Sequence, residues 1–345
     1  PHTLIGSSTH DTKRSEDARA RLGVLSELPS LWRLWLRRWS VLNRSHRAEG
    51  EGAAAPSSSD EYLYYQLLLA IWPLGTPPAE APGARALASL KARIQACMLK
   101  SVREAKLRTS WINPDAGYEA ALAAFIDGSL SNALFLKDLG EALARIGRLG
   151  ALVSLSQALL KVASPGVPDY YQGTELLDFS LVDPDNRRPV DYAKRKQLLS
   201  QLHSGLSREE LLKNPADGKA KLLVIAKGLE LRRRMPELFF RPAYMPLYAD
   251  SGREENVCAF ALRQGPRTLV AIAPRLFAGL MEGGDYAPLG ERAWGEARLA
   301  LPGPAGEFEN LLTGERHPAR EEGLRLSAVL ASFPVALLLA TPGQS

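Results

Sequence analysis

Leu4-Ile5-Gly6-Ser7-Ser8-Thr9-His10-Asp11-Thr12-Lys13-Arg14-Ser15-Glu16-Asp17 is the stretch on which the fold reading turns. A short apolar start leads into eight residues that hold His, Asp, Lys, Arg, Glu and a second Asp. That is the chemistry of a polar site at the carboxyl end of a strand. In barrel-type α/β folds such a site follows strands that have already built the scaffold. Its position at the start of this chain poses two questions together: what the site does, and what precedes it. A plainer local reading stands beside this one. Asp11 and Thr12 precede a helical pattern, where Asp is a common N-cap and the charges that follow would form the first turn.

The 345 residues are 46% hydrophobic, which predicts two or three domains or part-domains with a sizeable core. Forty-three Lys and Arg against thirty-eight Asp and Glu give a net charge of +5, mixed along the chain. Without a basic tail or a basic stripe interleaved with aromatics, nucleic acid is not an expected partner. Cys97 and Cys258 stand far apart with no metal-ligand neighbourhood, so we expect no disulfide framework and a reducing, cytoplasmic setting. No Asp-rich ligand spacing suggests calcium, and neither a metal nor an organic cofactor is expected. Residues 326–340 form the longest apolar run. It is interrupted by Ser and by Pro334 and is shorter than the ~18 residues of a spanning helix. It reads as paired strands, and no membrane partner is expected. The start at Pro1, with no signal-peptide pattern, suggests a processed or excised piece.

Residues 13–45 read as helix, with Leu28, Leu31, Trp32, Trp35, Leu36 and Trp39 at helical spacing. This face suits helix–helix packing better than sugar binding. Residues 49–59 read as a loop, and Ser58-Ser59-Asp60-Glu61 as a capping box that starts a helix through Leu69. Trp72-Pro73-Leu74-Gly75 ends it, and a Pro-rich gap follows. The next helix, residues 84–108, carries Lys91, Arg93, Lys100, Arg103, Glu104 and Lys106, read as a solvated face. Residues 118–126 and 136–160 read as helix, with a turn at Asn113-Pro114-Asp115 between the helices.

Two polar loops follow. Tyr170-Tyr171-Gln172-Gly173-Thr174-Glu175 closes a short strand, and Glu175 is placed to bond neighbouring loops or a substrate. Asp183-Pro184-Asp185-Asn186-Arg187-Arg188-Pro189 sets its polar groups between prolines, a rigid polarity typical of functional loops. An Asx-type turn sealed by an Arg–carboxylate pair accounts for it equally well. Helices at 193–202 and 222–235 come next. The tail, with strand-like residues 257–262, 268–273, 296–301 and 336–340, reads as an all-β domain, most simply a small sandwich.

The strings THDTKRSEDARARLGVLSE, DEYLYYQLLLAIWPL, REAKLRTSWINPDAGYE and PGVPDYYQGTELLDFSLVDPDNRRPVDY, in that order, closely resemble those of the maltooligosyltrehalose synthases. These belong to the α-amylase superfamily, glycoside hydrolase family 13. The resemblance is specific over residues 3–200 and looser after 220. It implies the C-terminal part of a (β/α)8 barrel with a large helical insertion, followed by a small β-sandwich: an α/β plus all-β chain. On that reading residues 1–12 hold barrel strand seven and its His-Asp pair, and 13–147 are the insertion. Residues 148–220 hold the last strand, the substrate loop and a helix. Residues 221–345 form the C-terminal domain.

The resemblance further implies that Asp11 is the third catalytic carboxylate and that His10 contacts the sugar ring at the scissile bond. Lys13, Arg14, Asp183, Asn186 and Arg187 are candidates to hold a released glucose, with Tyr171 and Trp111 covering it and Gln172 and Glu175 as further substrate-binding candidates. The implied reaction is an intramolecular transglucosylation. It would convert the reducing-end α-1,4 bond of a maltooligosaccharide to an α,α-1,1 bond. The expected partners are that substrate and the missing N-terminal barrel half, which would carry the nucleophile and the acid/base. Two other readings stay open: another hydrolase or transglycosylase of the superfamily, and a non-catalytic carbohydrate-binding subunit.

Overall fold

The computed structural model describes residues 3–48, 55–75, 83–281, 287–301 and 306–340. Residues 49–54 of the expected loop and the Pro-rich stretch 76–82 lie outside the described residues. In chain order, β1 (Leu4–Gly6) is followed by α1 (Glu16–Gly23), α2 (Pro29–Leu42), α3 (Ser58–Ile71), α4 (Ala84–Ala105), α5 (Ala116–Ser129) and α6 (Ala133–Ala163). β2 (Val167–Asp169), α7 (Tyr192–His203), α8 (Arg208–Lys213) and α9 (Lys219–Arg234) come next. The tail holds β3 (Ala243–Leu247), β4 (Val257–Gln264), β5 (Arg267–Pro274), β6 (Arg298–Leu299), β7 (Gly306–Asn310), β8 (Arg316–Ala319), β9 (Leu324–Arg325) and β10 (Ala336–Ala340), with short helices between some of them. The chain divides into two compact units: residues 10–150 with 179–188, and residues 1–9, 151–178 and 189–345.

The first unit is helical, and its core is aromatic. Trp39, fully buried, stacks on Trp35 at 6.2 Å and meets Trp32, Tyr65 and Phe135 edge-on at 5.4–5.9 Å. The helical spacing of Trp32, Trp35 and Trp39 thus serves packing. Large aromatics bring polar atoms inside with them, and these need partners. Trp39 Nε1 donates to Asp138 Oδ2 at 2.7 Å, Tyr65 donates to Glu61 Oε1 at 2.8 Å, and the Tyr64 hydroxyl meets Ser129 Oγ at 2.5 Å. Burial pushes both phenols well above the ordinary tyrosine range. Arg21, 2% exposed, donates to the carbonyls of Leu69, Ala70 and Trp72 and so caps the C-terminal end of α3. Burial pulls its guanidinium down to about 9, against the opposing charge of Asp17.

The capping signal before α3 sits one residue earlier than expected. Ser57, not Ser58, is the N-cap, and its Oγ accepts from the Asp60 N–H at 3.2 Å. α6 is long and apolar enough to cross a bilayer by length and composition, but 72% of its most apolar window is buried inside the protein.

In the second unit β1 and β2 pair in parallel, with Leu4 opposite Val167, Ile5 opposite Pro168 and Gly6 opposite Asp169. The tail strands form one six-stranded antiparallel sheet, ordered β3-β4-β5-β10-β7-β8, and a separate two-stranded ribbon of β6 and β9. Among the described residues there is no second full sheet to face it, which corrects the expected sandwich. The ribbon strands are two residues each, too short for a facing layer. One face of the large sheet buries Phe260, Leu262, Leu269 and Leu337 in a cluster with Leu159 and Val162 of α6 and Val224 and Leu231 of α9. The run at 326–340 is also corrected. Its first residues form a short helix, Leu326–Val329, and only β10 is a strand, pairing with β5 and β7 rather than within the run.

Candidate functional site

In the helical unit His10 and Asp11 lie on the turn ahead of α1, with His10 Nε2 3.3 Å from Asp11 Oδ2. Their side chains are 55% and 87% exposed. Asp11 is not a helix cap: the N-cap position of α1 belongs to Ser15. The Ser15 side chain makes no cap bond to α1, although its carbonyl accepts from the Arg19 N–H at 3.0 Å. The Ser15 N–H donates to Ser180 O at 2.9 Å, and its Oγ accepts from the Ser180 N–H at 3.1 Å. Arg14 pairs with Leu181 in an isolated antiparallel bridge, and its carbonyl accepts from Arg19 Nη1 at 2.7 Å. The turn and residues 179–188 are thus stitched together over more than 160 residues of sequence. Asn186 completes the seam: its Nδ2 donates to His10 O at 2.8 Å.

Helix α4 holds this arrangement. Arg93, Lys100 and Glu104 fall at i, i+7 and i+11, which is one helical face. Arg93 grips both Asp185 oxygens at 2.8 and 2.9 Å and also donates to Phe179 O at 2.6 Å. Lys100 Nζ donates to Asp183 O at 2.9 Å. Glu104 lies 3.2 Å from Lys13 Nζ. Arg93 and Lys100, read as part of a solvated face, are therefore tethers, which corrects the expectation for those two, whereas Glu104 and Lys106 are exposed as expected. Cys97 lies on the same face, and burial pushes its thiol up.

Burial works to raise the Asp185 carboxyl, but Arg93, the Leu181 N–H and Arg188 outweigh it and hold it below the ordinary Asp range. Arg187 pairs with Asp183 at 2.8 Å beside the cis Asp183–Pro184 bond. Arg21 stacks on Phe179 at 3.6 Å, where the loop begins. The Arg–carboxylate seal weighed for this loop is present, and the functional candidates hang from it.

Trp111 sits on the connection after α4. It is 57% exposed, and one side of its ring lies 4.8 Å from the Arg103 guanidinium. Arg103 grips Glu119 with two bonds, and Thr109 Oγ1 also donates to it. Together they hold the Glu119 carboxyl down to about 2. The aromatic is displayed on a braced loop.

Tyr171, Gln172 and Glu175 belong to the other unit. Tyr171 is half-buried, and its carbonyl accepts from Thr174 N and Oγ1. Gln172 is exposed. Gly173 takes a φ of +93°, open to glycine at little cost. Glu175 accepts from Arg195 Nε at 3.0 Å, and Arg195 also donates to Gly173 O at 2.7 Å, so Glu175 braces its own loop.

Sequence reasoning passed over Lys161 in this unit. It is 6% exposed, donates to Ser7 Oγ at 2.7 Å just past β1, and lies 4.0 Å over the ring of Tyr170 just past β2. A lysine within an otherwise apolar helical run was the available signal. Among the described residues no group of three or more His, Cys, Asp or Glu is placed to hold a metal ion.

No protein-family model matches the chain. It is 34% identical over 339 residues to a curated Mycobacterium tuberculosis (strain CDC 1551 / Oshkosh) protein named maltooligosyl trehalose synthase, matching 98% of this chain and 38% of that one. The solved maltooligosyltrehalose synthase of Arthrobacter ramosus superposes with a TM-score of 0.78 at 34% identity, covering 99% of this chain and 39% of that one. A hypothetical maltooligosyl trehalose synthase of Sulfolobus tokodaii gives 0.69 at 27% identity, with 97% and 38% covered. The chain spans well under half the length of the relatives it matches and corresponds to their C-terminal portion.

Proposed function

We propose that this chain, which belongs to the maltooligosyl trehalose synthase family and corresponds to a C-terminal portion of it, supplies one wall of a transglucosylation site. The substrate is a maltooligosaccharide, and the product carries an α,α-1,1 bond at its former reducing end. β1 and β2 are read as the last two strands of a (β/α)8 barrel. The parallel register of Leu4 to Gly6 on Val167 to Asp169, with helical sequence between the strands, supports that reading. His10 and Asp11 then stand beyond the carboxyl end of the first of these strands, where barrel sites are built.

A retaining reaction needs a nucleophile and an acid/base about 5–5.5 Å apart. We assign both to the part of the relatives' length that this chain does not span. The acid protonates the glycosidic oxygen as the α-1,4 bond breaks, and the nucleophile takes the sugar's anomeric carbon. The released glucose then turns, and its own anomeric hydroxyl attacks the anomeric carbon of the glycosyl-enzyme, breaking the bond to the nucleophile and freeing its carboxylate, while the conjugate base takes the proton. Asp11 stabilises the positive charge that develops on the ring in both steps, and His10 contacts the ring. A carboxylate as exposed as Asp11 is a weak electrostatic partner in water. Enclosure by the remaining polypeptide strengthens it and keeps water from intercepting the intermediate. Asp183, Arg187 and Lys13 offer directional bonds to hold the glucose while it turns, with Trp111 as a cover, and the buried Asn186 holds the His10 backbone in place.

The observation that carries this reading is the Asn186 bond to His10 O, which ties the polar loop to the His-Asp turn. The test is incubation of the protein containing this chain with maltopentaose, following reducing ends and free glucose. Loss of reducing ends without glucose release is the expected result. A gain of both identifies a hydrolase, and no change identifies a binding subunit; either overturns the proposal.

A further inference from the structure

We infer that Arg93 is a positioning residue: it fixes the loop of residues 179–188 and, through Asn186, the backbone of His10. The catalytic consequence rests on the function proposed above, whereas the mechanical link does not. One guanidinium reaches three acceptors of the loop: Asp185 Oδ1 at 2.8 Å, Asp185 Oδ2 at 2.9 Å and Phe179 O at 2.6 Å. It thereby joins the first residue of the loop to its centre. Asp185 also accepts from the Leu181 N–H at 2.7 Å and lies 3.1 Å from Arg188 Nε. The side chains of Arg93 and Asp185 are 18% and 12% exposed, so water is a poor substitute for either partner.

Asn186 is the next residue. Its main chain is set by where Asp185 is held, and its side chain donates to His10 O. A displaced Asp185 carries Asn186 with it, and the turn bearing His10 and Asp11 loses one of its fixed points. Lys100 on Asp183 O is a separate tether about two turns along α4. Removing Arg93 therefore loosens the loop without detaching it. Lysine is a poor replacement, because an ammonium cannot form the planar two-pronged contact.

The test has two arms. In the first, hydrogen exchange is followed on Arg93→Met and Arg93→Lys. Protection should fall at the amides of Leu181, Asp185 and Arg187, more for Met than for Lys, and stay unchanged in β4 and β5. In the second, the same variants are made in the longer protein acting on maltopentaose. We expect kcat for trehalosyl formation to fall by about 10²-fold with a smaller change in KM. Arg93→Lys should recover little of it. In an Asn186→Ala background Arg93→Met should cost little more, because both act through one link. Unchanged exchange in the loop, an unchanged kcat, or full additivity with Asn186→Ala each overturns the inference. If the parent protein forms no trehalosyl product, the functional reading fails, and the exchange arm still decides whether Arg93 holds the loop.

Discussion

Residues 170–175 and 179–188 look alike on paper: two short polar loops punctuated by Gly or Pro. They are held in different ways. Glu175 and Gly173 are braced by Arg195, 20 and 22 residues further on, and Thr174 bonds back to Tyr171. The later loop is gripped from 92 residues away by Arg93, from 83 by Lys100, from 165 by Ser15 and from 176 by His10. The first can take shape from its neighbourhood alone. The second exists only once α4 and the start of the chain have come together. That loop carries Asp183, Asn186 and Arg187 and fixes the His10 backbone, so the site depends on long-range packing.

The largest effect expected from this contrast is on Asp185→Asn. The substitution keeps the shape but leaves the Arg93 charge half-buried without its partner, at a cost of about 2–4 kcal/mol in urea unfolding. Acid probes the same pair. The folded Asp185 carboxyl sits below its ordinary value, so its contribution is present above the unfolded Asp range. It is lost as pH falls below that range toward the folded value. Exchange protection in 179–188 should therefore weaken in acid well before that of the β4–β5 pair. Arg195→Gln should cost only about 1 kcal/mol, with faster exchange confined to residues 173–175. A cost for Arg195→Gln equal to that for Asp185→Asn would erase the distinction between the loops.

What could be read from the sequence follows the same division. The Leu28-to-Trp39 spacing declares a buried helical face, and the structure buries Trp32, Trp35 and Trp39. The strands at 257–262 and 268–273 announce themselves by β-branched and apolar runs between turns, and they pair as β4 and β5. Other features were set by distant partners. Asp11 had the local chemistry of an N-cap, but the cap position went to Ser15, which is engaged by Ser180. The charges of α4 looked solvated because Asp183 and Asp185 lie more than 80 residues downstream. The run at 326–340 was apolar enough for two strands, yet β5 and β7 take β10 as their shared neighbour and its first residues turn into a short helix.

The central claim is that Asp11 works in chemistry and not in folding. The direct measurement is turnover of maltopentaose to trehalosyl product by Asp11→Asn in the longer protein, alongside its unfolding midpoint. For so exposed a side chain we predict a stability change within about 0.5 kcal/mol and a fall in kcat of at least about 10²-fold. Near-normal turnover with unchanged stability would contradict the account.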